Sequence, residues 1–320
     1  MKLGVFTVLF SQQPLHDALD YIVRSGLEAV EIGAGNYPGG AHCPLDELVK
    51  NKSKAEDWKT LITDRGLVIS AISVHGNPLH PDRAFARKNH ETFEKAVRLA
   101  EMIGVDTVVA FSGCPGDSDR AKYPNWVTCP WPPDFSEIVK WQWEAKVIPY
   151  WKKEARFARD HGVKVAFEMH PGFVVYNTET MLRLRRECGN NIGANFDPSH
   201  LFWQGMDPIA SLRALKGCIY HVHAKDCRIY RANCDTVGVL DTKSYGDEIN
   251  RSWIFRTVGY GHGRDFWGDF VSTLRMAGYD GALSIEHEDS LMSVNDGFQK
   301  AVAFLKDVLL HEKPGSMWWA

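Results

Sequence analysis

The chain has 320 residues, 44% of them hydrophobic and 24% charged, with a formal net charge of −3; this ordinary globular balance leaves no basic face for nucleic acid. Its seven cysteines are odd in number and form no CxxC pair, which reads as reduced thiols in a cytoplasmic protein rather than a disulfide scaffold. The opening MKLGVFTVLF is a poor secretory signal, and no apolar run reaches the ~18 residues of a membrane span.

Apolar, β-branched runs then alternate with helix-like stretches. Residues 3–9 (LGVFTVL) read as a strand, and Pro14 opens a helix that Gly26 stops. Residues 29–32 form a second strand, followed by a helix over 53–65 that ends at Gly66. The third strand covers 67–74 (LVISAISV), with a helix over 85–103 closed by Gly104. The fourth covers 106–111, with a long helix over 136–161 before Gly162. Residues 163–167, 192–196, 218–222 and 282–285 supply strands five to eight, and helices are expected at 178–188, 207–215, 265–277 and 295–310.

Eight strand–helix units imply a parallel sheet with helices outside, closed into an α/β (β/α)8 TIM barrel that forms one domain over residues 1–320. A doubly wound open sheet is the structural alternative. Two long loop insertions, 112–135 and 224–263, leave the C-terminal ends of strands four and seven, where barrel active sites form.

Four strand ends carry polar residues that an apolar strand does not need. Strand five runs into Glu168 (VAFEMHP), strand six into Asp197 (GANFDPSH), strand seven into His223 (YHVHAKD) and strand eight into Glu286 (LSIEHED). A barrel aims all four at one mouth. Three carboxylates gathered in a low dielectric repel one another unless a cation neutralises them. Three acidic groups and an imidazole suit one divalent ion, Mn²⁺ first, with Mg²⁺, Co²⁺ or Zn²⁺ as alternatives.

With KLGVFT, GLEAVEIG, AFEMHP, ANFDPSHL, HVHAKD, VGYGHG and GYDGALSIEHED in this order, the sequence resembles the xylose isomerase-like superfamily of sugar phosphate isomerases and epimerases. That group includes ketose 3-epimerases, inosose-processing enzymes, catalytic subunits of C-glycoside deglycosidases and apurinic endonucleases. The resemblance covers the chain outside the two long loops. It implies that Glu168, Asp197, His223 and Glu286 bind the metal and that Glu168 and Glu286 also act as acid and base. The endonuclease branch places a zinc-binding histidine where strand four here ends in Ser112, which argues against DNA repair.

Further residues are expected around the mouth. His75 ends strand three, His200 follows Asp197 by three positions, and Asp226 follows His223 by three; with His170 and Arg256 they are candidates for substrate contact. Glu31 points toward the barrel interior on the same logic, His262 lies near the rim, and His287, next to Glu286, faces the helix layer.

Three functional readings follow. The first is an isomerase or epimerase moving a proton next to the carbonyl of a keto sugar or cyclitol. The second is a lyase that expels an aglycone from a 3-keto-glycoside with the same base. The third is an inactive sugar-binding relative. The aromatic stretch Tyr123, Trp126, Trp131, Trp141 and Trp143 suits stacking on a sugar or planar group, or a subunit interface. The terminal Met317, Trp318 and Trp319 suit a partner surface, either in a homo-oligomer or with a small second subunit.

Overall fold

The computed structural model describes residues 1–319. Eight strands close into a parallel barrel: β1 (Lys2–Phe6), β2 (Ala29–Gly33), β3 (Val68–Ser73), β4 (Thr107–Ala110), β5 (Lys164–Glu168), β6 (Ile192–Phe196), β7 (Ile219–Ala224) and, last in the chain, Ala282–Ile285. The last strand pairs with both β1 and β7, which completes the ring. The expected (β/α)8 barrel is therefore the observed one, and the open sheet is excluded.

Strand alternation explains how the sequence builds two separate interiors. Residues such as Leu3, Val5, Val30, Ile32, Val165, Phe167, Leu283 and Ile285 face outward and join the large core beneath the helices. Their neighbours face inward. Low in the barrel these are small, with Ala71, Val109 and Ala166 forming their own cluster. Gly193 belongs to this layer, because a Cβ there would come within 2.5 Å of the Cys218 carbonyl and the Tyr220 ring. Small residues close the floor, and the space above is left for polar groups.

The outer helices bury one face each. Helix Arg83–Ile103 buries Phe93, Val97 and Ala100; its amino end is capped by Asp82, whose carboxylate accepts from Ala84 and Phe85, and Gly104 ends it in the left-handed conformation. Among the described residues no helix is long and apolar enough to cross a membrane.

Four details differ from expectation. Strand β1 stops at Phe6, and Thr7–Phe10 coils into a 3-10 turn. The helix expected over 136–161 comprises Asp134–Trp141 and Ile148–Asp160 with a π-helical turn, Gln142–Val147, between them. A short helix, Pro198–Trp203, follows β6 directly, with Asp197 as its cap. The segment 224–263 is not all loop: β8 (Asp226–Ile229) and β9 (Trp253–Arg256) form an antiparallel hairpin, with the helix Arg231–Val237 between them. In chain order the closing barrel strand is thus β10.

Candidate active site at the barrel mouth

Inward-facing rows rise from five strands to the same place. They are Glu168 and His170 from β5, Asn195 and Asp197 from β6, His221, His223 and Lys225 from β7, Ser284, Glu286 and Glu288 from β10, and Glu31 from β2. The two-residue spacing in each row is the period of a strand.

One ligand atom from each of Glu168, Asp197, His223 and Glu286 lies within 4.8 Å of the others. His223 Nδ1 is 2.9 Å from Glu286 Oε2 and 3.3 Å from Glu168 Oε2. Its other nitrogen, Nε2, lies 3.0 Å from each carboxylate oxygen of Glu31. Glu31 is fully buried and also accepts from the hydroxyls of Ser73 and Ser284. This partner orients the ring and leaves Nδ1 facing the other carboxylates, the arrangement by which an outer carboxylate fixes a ligating histidine.

Around this group, His75 Nε2 is 2.9 Å from Glu168 Oε2, and His200 Nε2 is 3.2 Å from Glu168 Oε1 and 3.3 Å from Asp197 Oδ2. The rings of His170 and His200 sit 4.1 Å apart. His75, His200 and His170 are thus brought to the four central groups.

Arg256 and Asp226 are not. Arg256 Nε is 3.1 Å from Asp289 Oδ2, and its guanidinium reaches the Tyr230 hydroxyl. Asp226 Oδ2 accepts from the backbone N–H of Gly259, Gly261 and His262 and from the Trp267 indole, while Oδ1 accepts from Cys227 N and His262 Nδ1. Both oxygens accept from donors in and around the rim loop, so in this structure Asp226 ties down the segment after β9. Arg256 braces the hairpin against Asp289.

The sequence reading did not single out Lys225, which is 2% exposed at its side chain; its Nζ lies 3.1 Å from Asp197 Oδ2, 3.0 Å from Glu286 Oε2 and 3.1 Å from Glu288 Oε2. Asn195 was also passed over; its Nδ2 is 3.3 Å from Glu168 Oε2, and its Oδ1 faces His221 Nδ1 at 3.1 Å. Both were accessible by counting two residues from His223 and from Asp197.

The electrostatics agree with a cation site. Burial alone would raise the Glu31 carboxyl, yet the charges of His223 and His221 and the His223 hydrogen bond pull it down to about 2. Glu168 is held well below the carboxylate range, against burial, by hydrogen bonds from His200, His223 and His75. Burial lowers His223, but Glu31 and Glu286 outweigh it and raise the imidazole well above its usual value. His170, by contrast, is pushed down to about 3 by burial and by the charge of His200, so it is neutral at physiological pH.

Asp197 Oδ2 and Glu286 Oε2 are buried and make no aligned hydrogen bond, although Lys225 stands close to both. Buried anionic oxygens without aligned donors, beside an imidazole already oriented from behind, fit a divalent ion with oxygen-rich ligation. No cysteine belongs to the group.

The family model described as xylose isomerase-like TIM barrel matches residues 19–308, and the chain belongs to that family. An uncharacterised protein of Bacillus subtilis, YfiH, is 37% identical over 312 residues, covering 97% of this chain and 99% of its own. Among solved structures, the 3-keto-D-glucoside 4-epimerase YcjR of E. coli superposes with a TM-score of 0.64 at 16% identity, over 96% of this chain and 99% of its own. The probable 3-DHS dehydratase AsbF of Bacillus anthracis superposes with a TM-score of 0.63 at 19% identity, over 96% and 99%. Epimerases and dehydratases thus share this fold.

Proposed function

We propose that the protein is a divalent-metal-dependent isomerase or epimerase that moves a proton at the carbon next to the carbonyl of a keto sugar or cyclitol. The observation that carries this reading is the meeting of Glu168 and Glu286 with Asp197 and His223 within one 4.8 Å cluster at the barrel mouth. These four residues would hold the ion, with Mn²⁺ favoured by the three carboxylates. Once bound, it would polarise the substrate carbonyl and stabilise negative charge on that oxygen.

The chain's own groups do the proton work. One of Glu168 and Glu286 takes the α-proton: the C–H bond breaks, its electron pair forms the carbon–carbon double bond, and the carbonyl π pair moves to oxygen. Return of a proton from the other glutamate to the opposite face inverts the carbon. Return on the same face to the former carbonyl carbon, with the hydroxyl proton of the α-carbon passing to the former carbonyl oxygen so that the α-carbon becomes the new carbonyl, gives aldose–ketose isomerisation. His75 and His200 flank Glu168, where they would orient substrate hydroxyls and adjust the carboxylate. Neutral His170 offers one donor and one acceptor without adding charge. Lys225 stabilises the deprotonated carboxylates from the rim.

Elimination is the second reading. The same α-proton removal expels a substituent at the β-carbon, and the dehydratase among the structural neighbours supports keeping it. The two separate by mass spectrometry of substrate recovered from D₂O. Proton transfer alone places deuterium next to the carbonyl of recovered or epimerised substrate, whereas elimination releases the β-substituent. Absence of both across keto-hexoses, inososes and 3-keto-glycosides would remove the proposal and leave the sugar-binding alternative. Residues 317–319 are exposed, which supports association with another chain, to be tested by light scattering.

A further inference from the structure

Helix Ile148–Asp160 buries the row Trp151, Glu154, Ala155 and Ala158. That spacing is the core-facing stripe of a helix, where apolar side chains are expected. Glu154 nevertheless stands in it, with no exposure to solvent. Neither of its carboxylate oxygens has a hydrogen-bond partner among the described residues. A buried carboxylate left in this way is costly unless a cation meets it. It lies in the helix layer, outside the barrel, and shares no residue with the mouth.

The facing wall comes from helix Arg83–Ile103. His90 and Glu94 are one helical turn apart there and share a face. His90 Nε2 is 3.5 Å from Glu94 Oε1, and Nδ1 is 3.9 Å from Glu154 Oε2. One ligand atom from each of the three residues lies within 4.8 Å of the others. Hydrogen bonding does not account for the grouping. Nδ1 already has the Tyr150 hydroxyl at 3.1 Å, and 3.9 Å is too long for a bond to Glu154. Arg98 donates to the other oxygen of Glu94 at 3.2 Å. Lys153 Nζ stands 3.1 Å from Glu154 Oε1, but it is not aligned to donate and its side chain is 71% exposed. Glu94 Oε1, Glu154 Oε2 and the imidazole are left facing one another.

We propose that His90, Glu94 and Glu154 bind a divalent ion of their own, Zn²⁺ by preference, which staples together the two helices that flank β4. Zinc forms bonds of about 2.0–2.2 Å with imidazole and carboxylate, so the ligand atoms of a tetrahedral site stand about 3.4 Å apart. The separations of 3.5 and 3.9 Å need only a small side-chain adjustment to reach that. Water completes the shell from the open side, where His90 and Glu94 are each about a quarter exposed. Mn²⁺, at the weak end of the affinity order for such donors, is not expected to fill this site. Nothing here depends on the chemistry proposed for the mouth.

The test is diffraction at the zinc edge from crystals soaked in micromolar Zn²⁺, paired with chelator competition in solution. An anomalous peak among His90, Glu94 and Glu154 is the expected result, separate from any at the mouth. His90→Ala and Glu154→Gln should each lose that peak and bind one zinc fewer than the unaltered protein. His90→Ala leaves the buried carboxylate in place, so it decides the matter if Glu154→Gln does not fold. Zinc should also raise the thermal midpoint of the unaltered protein more than that of His90→Ala. No peak, a peak that needs millimolar zinc, or equal zinc stoichiometry in His90→Ala and the unaltered protein overturns the proposal and leaves Glu154 as a carboxyl kept neutral by its own proton.

Discussion

Glu31 and His223 are paired inside the barrel, with Nε2 of the imidazole 3.0 Å from both oxygens of a carboxylate that has no exposure to solvent. The two residues are 192 positions apart in sequence, and β2 and β7 stand three strands apart around the closed sheet, so the contact crosses the barrel interior. The pair sets which nitrogen of His223 faces Glu168 and Glu286, so its effect should be read at the metal.

Glu31→Gln should therefore weaken Mn²⁺ affinity by roughly 10–100-fold, the usual consequence of losing the residue that orients a ligating histidine. Competition against a chelator measures it. The fold should persist, because Gln keeps one acceptor oxygen for one of Ser73 and Ser284 and its NH₂ can donate to the other hydroxyl, which rotates to accept. Unchanged affinity would show that His223 is held by something else.

Glu168→Gln and Glu286→Gln should each lower kcat by about 10²-fold or more, the usual contribution of a positioned acid or base. If epimerisation uses both faces, one variant should retain exchange of the α-proton with D₂O while losing inversion. Near-normal turnover in both would place the proton elsewhere.

Asp226→Ala should act on stability. It leaves six donors without their acceptor, among them the buried Gly261 N–H and Trp267 indole, and should destabilise the fold by about 3 kcal/mol. The measurement is a shift of the urea midpoint at constant slope. A variant of full stability with altered KM would instead return Asp226 to the substrate.

Cysteine reactivity tests burial. Desolvation pushes the Cys43 and Cys114 thiols up to about 12, whereas Cys129 is exposed. A raised thiol pKa means that thiolate appears only as pH climbs, so at pH 8 its fraction at Cys43 and Cys114 is about 10⁻⁴. Iodoacetamide at pH 8 should label Cys129 first, and Cys43 and Cys114 only after unfolding. Rapid labelling of Cys43 in folded protein would contradict the packing around it.

The barrel was legible because apolar runs recur eight times, with a glycine stopping most of the helices between them, and strand ends such as Glu168 and Glu286 interrupt apolar patterns abruptly. The hairpin of β8 and β9 was not: Cys227 and Phe255 pair although they are 28 positions apart in the chain, and only tertiary closure joins them. Pro198–Trp203 was missed although Asp197 before a proline is a helix-start signal; the same side chain was read as a ligand, and it serves both ends, with Oδ1 capping Ser199 N and Oδ2 facing the site. The orientation expected for His287 is observed: a Cβ on Gly297 of the last helix would fall 2.0 Å from its ring. The aromatic stretch after strand four contributes less than its composition suggests. Trp126 joins the Trp203–Trp253 cluster, but Trp131 faces solvent and Trp143 packs in the core.

The most direct test is a crystal of the protein soaked in Mn²⁺, with diffraction collected near the manganese absorption edge. A single anomalous peak among Glu168, Asp197, His223 and Glu286 is the expected result. A peak bound elsewhere, or none at a concentration that supports turnover, would contradict the assignment of these four residues.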